Sequence, residues 1–210
     1  MNTLILGPQG SGKGTQAQLL AEKMGFYYVE SGRILREAAK SSPVVDEIIN
    51  QKGQLLPDEE TFSLIKGKLE SEAQDLNKVV FDGFPRSFKQ YSLLKDWLHS
   101  KGTKLDLAIL LEIGESETIK RLSARRTCEK CGKVYNLITS PPPKEGCLCG
   151  GKLSQRVDDT PEAIKTRLAA FREVTTPLIE QLGREGILIK LNGERPIQTI
   201  FRDILAIVQK

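Results

Sequence analysis

Gly7-Pro8-Gln9-Gly10-Ser11-Gly12-Lys13-Gly14-Thr15 decides how the rest of the chain is read. Ahead of it, Thr3-Leu4-Ile5-Leu6 is a short apolar run that predicts a buried strand. Behind it, Gln16 to Met24 carries helical spacing and good helix formers. Strand, glycine-rich turn and helix form the setting in which a G-x-x-x-x-G-K match becomes a phosphate site. The glycines let successive backbone N–H groups turn inward around an anion, and the helix N-terminus adds partial positive charge. Lys13 supplies a mobile full charge to the outer phosphates. A second glycine, Gly14, follows the lysine, so the hydroxyl expected to face magnesium comes from Thr15, or from Gly14's neighbours and water. The stretch implies a nucleoside triphosphate site.

Working outward, 210 residues allow one full core with small insertions. An apolar content of 39% and a charged content of 28% fit a soluble globular protein. No apolar run approaches the roughly 20 residues that span a bilayer, and the chain enters a strand at once, so a cytoplasmic protein is expected. The net charge of +4 is spread along the chain. It suits phosphate-bearing small molecules as well as it suits nucleic acid. All four cysteines, Cys128, Cys131, Cys147 and Cys149, fall in one segment, which reads as a metal site before it reads as a disulfide framework.

Further strands are predicted at Tyr27-Tyr28-Val29-Glu30, Val79-Val80-Phe81, Leu107 to Ile113 and Leu188 to Leu191. Ser31 is placed to cap a helix through Ile34 and Leu35. A short helical piece runs from Val44 to Asn50, and a longer helix from Pro57-Asp58 to about Ala73. Helices follow at Ser87–Ser100, Ser116–Arg126, from Pro161 to about Leu182 with a bend near Pro177, and Pro196–Gln209; Asp159 or Thr160 caps the third of these. Residues 31–58 and 127–159 read as two insertions, leaving 1–30, 59–126 and 160–210 as the core. Apolar strands alternating with helices mean an α/β fold: a three-layer α/β/α P-loop domain on a five-stranded parallel sheet. Ligands in such sheets sit beyond the carboxyl ends of the strands.

Asp82 ends a buried strand, where a carboxylate either reaches magnesium or merely caps a turn. Arg36, Arg86, Arg121, Arg125, Arg156 and Arg167 are spread over regions expected to face the site. Arg121 and Arg125 are spaced to share one helix face. Phosphoryl transfer mostly needs charge held around the moving group. No serine–histidine pair or carboxylate dyad presents itself, and His99, the only histidine, lies far from the motifs. That pattern fits an acceptor that is already an anion.

These residues together resemble the adenylate kinases, in their long form with an inserted lid. The likeness spans nearly the whole chain: Gly7 to Gln16, Ser31-Gly32 through Leu35-Arg36, Gly53-Gln54-Leu55-Leu56-Pro57-Asp58, Asp82-Gly83-Phe84-Pro85-Arg86 with Gln90, Arg121 and Arg125, Leu153 to Asp159, Arg167, and Asn192 to Pro196. The resemblance implies transfer between ATP and AMP giving two ADP, with Mg²⁺; nothing in the sequence suggests an oligomerisation surface, so a monomer is the default, with neither nucleic acid nor membrane expected as a partner. Gly10, Ser11, Gly12, Lys13, Gly14 and Thr15 would hold the donor phosphates. Arg121 would lie against the donor base, near Val134, Tyr135 and the backbone of Arg195. Arg36 and Arg86 would take the AMP phosphate, and Gln90 would read the acceptor adenine. Ser31, Gln54, Leu55, Leu56, Gly83, Phe84 and Pro85 would line that pocket. Lys13, Asp82, Arg86, Arg125, Arg156 and Arg167 would serve the transfer itself, the last two also reaching the acceptor. The lid, residues 127–159, would close over ATP and exclude water.

Two features depart from the family pattern. Arg33 stands where the family has an aspartate associated with the magnesium water shell, leaving Asp82 to carry that part alone, and Arg33 would instead add charge near the acceptor phosphate. In the lid, Cys128-Glu129-Lys130-Cys131-Gly132 is a full zinc knuckle, but its partner Cys147-Leu148-Cys149 has one intervening residue rather than two. Structural Zn²⁺ is expected there, against a metal-free lid of reduced thiols or a disulfide formed on oxidation. Two rivals remain: the same kinase with UMP, CMP or GMP as acceptor, and a zinc ribbon on a nucleic-acid-binding ATPase. The lid's lack of a basic, aromatic stripe weighs against the second.

Overall fold

The computed structural model describes residues 1–48, 56–144, 146–156 and 159–209. The central strand β1 (Thr3–Leu6) leads through the glycine-rich loop into α1 (Lys13–Met24), then β2 (Tyr27–Glu30), α2 (Ser31–Ser41) and α3 (Pro43–Asp46). α4 (Asp58–Glu72), β3 (Val79–Asp82), α5 (Phe88–Ser100), β4 (Leu107–Glu112) and α6 (Glu115–Ser123) follow. Three short strands, β5 (Arg125–Cys128), β6 (Val134–Asn136) and β7 (Leu153–Ser154), precede α7 (Pro161–Arg184), β8 (Leu188–Asn192) and α8 (Ile197–Val208).

The five expected strands form one parallel sheet in the order β2-β3-β1-β4-β8. Successive side chains of a strand point to opposite faces, and here both faces are apolar. On one face Leu4, Leu6, Phe81 and Leu110 pack with Ile65, Leu94, Leu98, Leu178 and Leu182 of α4, α5 and α7. On the other, Ile5, Val80, Ile109 and Leu111 meet Ala17 and Leu20 of α1 and Ile200 and Ile204 of α8. Each such fully buried side chain contributes about 1.5–3 kcal/mol over an exposed one. This fixes the sheet as the rigid frame that carries the loops at its carboxyl edge.

Several local expectations need correction. The helix after β2 begins at Ser31 itself, with Glu30 at the cap position, so Ser31 does not cap it. The Ser31 hydroxyl is buried without a hydrogen-bond partner among the described residues. α3 is a single turn entered from Ser42, whose hydroxyl accepts from the Val45 N–H, and the end of the predicted helix at Asn50 and Gly53 lies outside the described residues. α6 stops at Ser123, which puts Arg125 on β5 rather than on a helix face shared with Arg121. Thr160 caps α7, accepting from the Ala163 N–H, and leaves Asp159 for another task.

Where the sequence shows little periodicity, β6-β5-β7 form a small antiparallel sheet. Among the described residues its buried apolar set is Cys128, Tyr135 and Cys147, with Cys149 and Leu153 packed beside them. No described helix is long and apolar enough to cross a membrane.

Candidate active site

α1 starts without any side-chain cap and with no acidic residue in its first turn. Gly12, at the cap position, has φ 88°, a left-handed conformation that costs a side-chain-bearing residue about 1–2 kcal/mol. The first-turn N–H groups therefore stay open to an anion, with the helix dipole unopposed. The Lys13 ammonium turns back to the Pro8 carbonyl at 3.4 Å. Burial lowers its pKa from 10.5 to about 8; Asp82 opposes the shift, and Arg86, Arg125 and Arg167 add to it. Asp82 and three arginines from separate elements thus lie within electrostatic reach of the Lys13 ammonium. Thr15, by contrast, is exposed on α1.

Asp82 closes β3 beside Glu30, its register partner at the end of β2. Its Oδ2 accepts from the Tyr28 hydroxyl at 3.0 Å, and its Oδ1 is buried with no partner among the described residues. Burial pushes the Asp82 carboxyl up, opposed mainly by Lys13 and the Tyr28 hydrogen bond. A buried carboxylate oxygen left without a donor is expensive unless something else completes it.

A tight turn through Gly83 and a cis Phe84–Pro85 peptide brings Arg86 back under the strand end. The Arg86 Nε donates to the Gly83 carbonyl at 2.7 Å, and its backbone N–H donates to Gln90 Oε1 at 2.8 Å. Burial disfavours the Arg86 charge, yet a guanidinium stays protonated. The Gln90 amide also donates to Asp58 Oδ1 at 2.8 Å, while Ser87 donates to Asp58 Oδ2 and caps α5. One donor and one lone pair of the Gln90 amide remain for a ligand. Arg36 pairs with Glu30 at 3.0 Å and is exposed. Arg33 points elsewhere and pairs with Glu37 at 3.1 Å along the surface of α2. Leu56 is buried against Ala39 and Val45; Gln54 and Leu55 lie outside the described residues.

Arg121 is buried and ties three pieces together. Its Nε donates to Glu117 at 2.7 Å, and one terminal nitrogen donates to the Gly193 carbonyl at 2.8 Å and, more distantly, to that of Gly10. Arg195 pairs with Asp203 at 2.7 Å. Arg125 forks onto Asp159, with Nε to Oδ2 at 2.8 Å and a second, short contact from its terminal nitrogen to Oδ1. Arg167 reaches the same Oδ1 at 3.5 Å, and the Arg156 Nε donates to Thr127 at 3.3 Å. Asp159, read from sequence only as a possible cap, is thus the buried anion that holds the arginines of β5 and α7 together. Val134 is exposed, whereas the Tyr135 side chain turns away into the cysteine cluster.

The sulfurs of Cys128, Cys131, Cys147 and Cys149 all lie within 4.8 Å of one another. Neighbouring pairs are 3.4–3.5 Å apart. That is too far for a disulfide, whose sulfurs are about 2.05 Å apart, and close to the ~3.8 Å edge of a tetrahedral thiolate zinc site. The Tyr135 hydroxyl donates to Cys147 at 3.5 Å and leads in drawing that thiol down to about 6. Cys149 is pushed up to about 12, first by Cys131. Packed thiols resist collective ionisation unless a cation shares the charge. The one-residue spacing at Cys147-Leu148-Cys149 does not prevent the four sulfurs from meeting.

Fold and site together define a P-loop nucleoside monophosphate kinase, a phosphotransferase built on a parallel sheet. The adenylate kinase family model matches residues 5–187. The chain is 39% identical over 216 residues to an adenylate kinase of Thermosipho africanus, covering all of both chains. It is 37% identical to one of Archaeoglobus fulgidus, covering 100% of this chain and 99% of that one. A third, from Desulforamulus reducens, is 39% identical over the full length of both. The chain belongs to the adenylate kinase family.

Proposed function

We propose that the chain catalyses reversible, magnesium-dependent transfer of a phosphoryl group from ATP to AMP, giving two ADP. The observation that carries this reading is the convergence of Lys13, Asp82, Arg86, Arg125 and Arg167 on the uncapped N-terminus of α1. An AMP phosphate oxygen attacks the γ-phosphorus of ATP, and the bond to the β–γ bridging oxygen breaks with its electron pair leaving on ADP. The attacking group is already an anion, so no base has to be placed, and the protein's work is charge and alignment.

The loop from Gly10 to Thr15 cradles the donor phosphates, and Lys13 follows the transferring group. Arg36 and Arg86 take the AMP phosphate, Gln90 reads its adenine, and Ser31 offers its orphan hydroxyl to the same pocket. Arg121 covers the donor base. Arg125, Arg156 and Arg167 neutralise the transferring phosphoryl, which requires them to exchange Asp159 and Thr127 for phosphate oxygens. Mg²⁺ brought with ATP would neutralise phosphate charge, and the unpartnered Asp82 Oδ1 is the protein oxygen that would accept a hydrogen bond from its bound water.

Residues 31–58 would close over AMP and the segment from 127 to 159 over ATP, excluding water that would otherwise take the phosphoryl group. Cys128, Cys131, Cys147 and Cys149 would hold Zn²⁺, which pins β5 to the turn at Cys147 and has no part in the transfer. The reading extends to a cytoplasmic monomer. Coupled measurement of ADP formed from ATP and AMP, run beside UMP, CMP and GMP, tests it. AMP is expected to be the preferred acceptor; no ADP from ATP and AMP would overturn the reading.

A further inference from the structure

We propose that Tyr28 is a positioning residue for phosphoryl transfer: its hydroxyl holds one oxygen of Asp82 so that the other is presented to the magnesium water shell. This rests on the part given to Asp82 above. Tyr28 lies on β2 in register with Val80 of β3, two residues before Glu30, which pairs with Asp82 itself. Its ring packs among the apolar side chains on the α1 face of the sheet, and its hydroxyl emerges at the strand ends. The bond to Asp82 Oδ2 is 3.0 Å, leaving Oδ1 buried and unpartnered among the described residues.

The glycine after Lys13 shows how closely this pair is built into the site. A Cβ at Gly14 would stand 3.0 Å from Asp82 Oδ2 and 3.7 Å from the Tyr28 hydroxyl. Asp82 Oδ2 therefore sits close against the first turn of α1, where any side chain at position 14 would press on it. A carboxylate rotates easily about its last bond, and Lys13 lies near enough to attract it. Without the Tyr28 donor, Asp82 is drawn toward the ammonium, and both groups lose the placement that phosphate and magnesium require. The hydroxyl fixes the carboxylate plane with a charge-assisted hydrogen bond, among the stronger kinds available to a protein.

Tyr28→Phe removes the hydroxyl and keeps the ring, so the apolar packing stays. At fixed ATP and AMP, the magnesium concentration for half-maximal rate is expected to rise about tenfold, or kcat to fall by a similar factor, with the KM for AMP unchanged. Mn²⁺ used in place of Mg²⁺ and followed by electron paramagnetic resonance on the ATP complex is expected to bind several-fold more weakly to Tyr28→Phe than to the parent, as a purely structural role would not produce. The proposal is overturned if folded Tyr28→Phe keeps its magnesium requirement and kcat within twofold of the parent. Asp82→Asn separates the two layers. If it leaves the magnesium requirement unmoved, the part given to Asp82 and the proposal fall together; if it raises the requirement and Tyr28→Phe does not, only the proposal falls.

Discussion

The parallel-sheet core and the small sheet of β5, β6 and β7 solve the problem of staying folded in opposite ways. The core buries two extensive apolar layers, one on each face of five strands. The lid sheet buries little more than Cys128, Tyr135 and Cys147. So small an apolar cluster cannot offset the ordering entropy of some thirty residues at ~1–2 kcal/mol each. The core is held by its apolar layers, whereas the small sheet is built around its four sulfurs.

The largest effect that would break this contrast comes from metal removal. Structural zinc contributes on the order of 10 kcal/mol to small domains. Stripping it with a chelator is expected to abolish transfer by at least about 100-fold while the main thermal transition survives. Metal analysis of fresh protein, with calorimetry and activity before and after chelation, checks this; a fully active metal-free lid would erase the contrast. In the core, Phe81→Ala is expected to cost ~3–5 kcal/mol. At this chain length that lowers the main melting temperature by about 10 °C, and it should leave zinc content unchanged.

A third measurement sharpens how the two regions meet. Lys13 opens α1 of the core, yet Arg125, which opens β5 of the small sheet, helps lower its pKa to about 8. A bound triphosphate favours the ammonium form and raises that pKa again. Affinity for ATP is therefore full below pH 8 and declines as pH rises above it, by about tenfold between pH 7 and 9. Calorimetry in buffers of different ionisation enthalpy should show proton uptake on binding near pH 8. Arg125→Ala should move the decline to higher pH, because a cation that disfavours the charged lysine is gone. The smallest expected effect is on the acceptor side. Glu30 occupies Arg36 at a half-exposed ion pair worth at most about 1 kcal/mol. Glu30→Gln should lower the KM for AMP about two- to fivefold, with the KM for ATP unchanged.

The two regions also differed in how well the sequence announced them. The core was legible because each strand is a continuous apolar run and the glycine loop has a physical reason for every residue type. The lid strands are two to four residues long, and Arg125-Arg126-Thr127-Cys128 has neither apolar alternation nor a turn signal before it. Helical spacing from Arg121 therefore ran on past the true end of α6. The hydrogen-bond partners were hidden for another reason. Tyr28 meets Asp82 across 54 positions of chain, and Asp159 meets Arg125 across 34. Such pairs are set by strand register and helix packing, which no local pattern encodes. Asp58 is the same case: its hold on Ser87 and Gln90 looks, from sequence, like an acidic residue opening a helix.

The position of β1 at the centre of the sheet has a consequence for how the molecule is made. Its hydrogen-bonding neighbours are β3 and β4, so the strand leading into the phosphate loop has no partner until residues 79–82, and then 107–110, have been synthesised. Gln16 of α1 donates to the Ile197 carbonyl, and Arg121 links Gly10 to Gly193, contacts that need almost the whole chain. A ribosome adding roughly 5–20 residues per second leaves that first segment waiting for ten seconds or more. The phosphate loop is translated first and completed last. A chain truncated before α8 would carry every residue of the nucleotide loop and still lack the neighbours that hold it in shape.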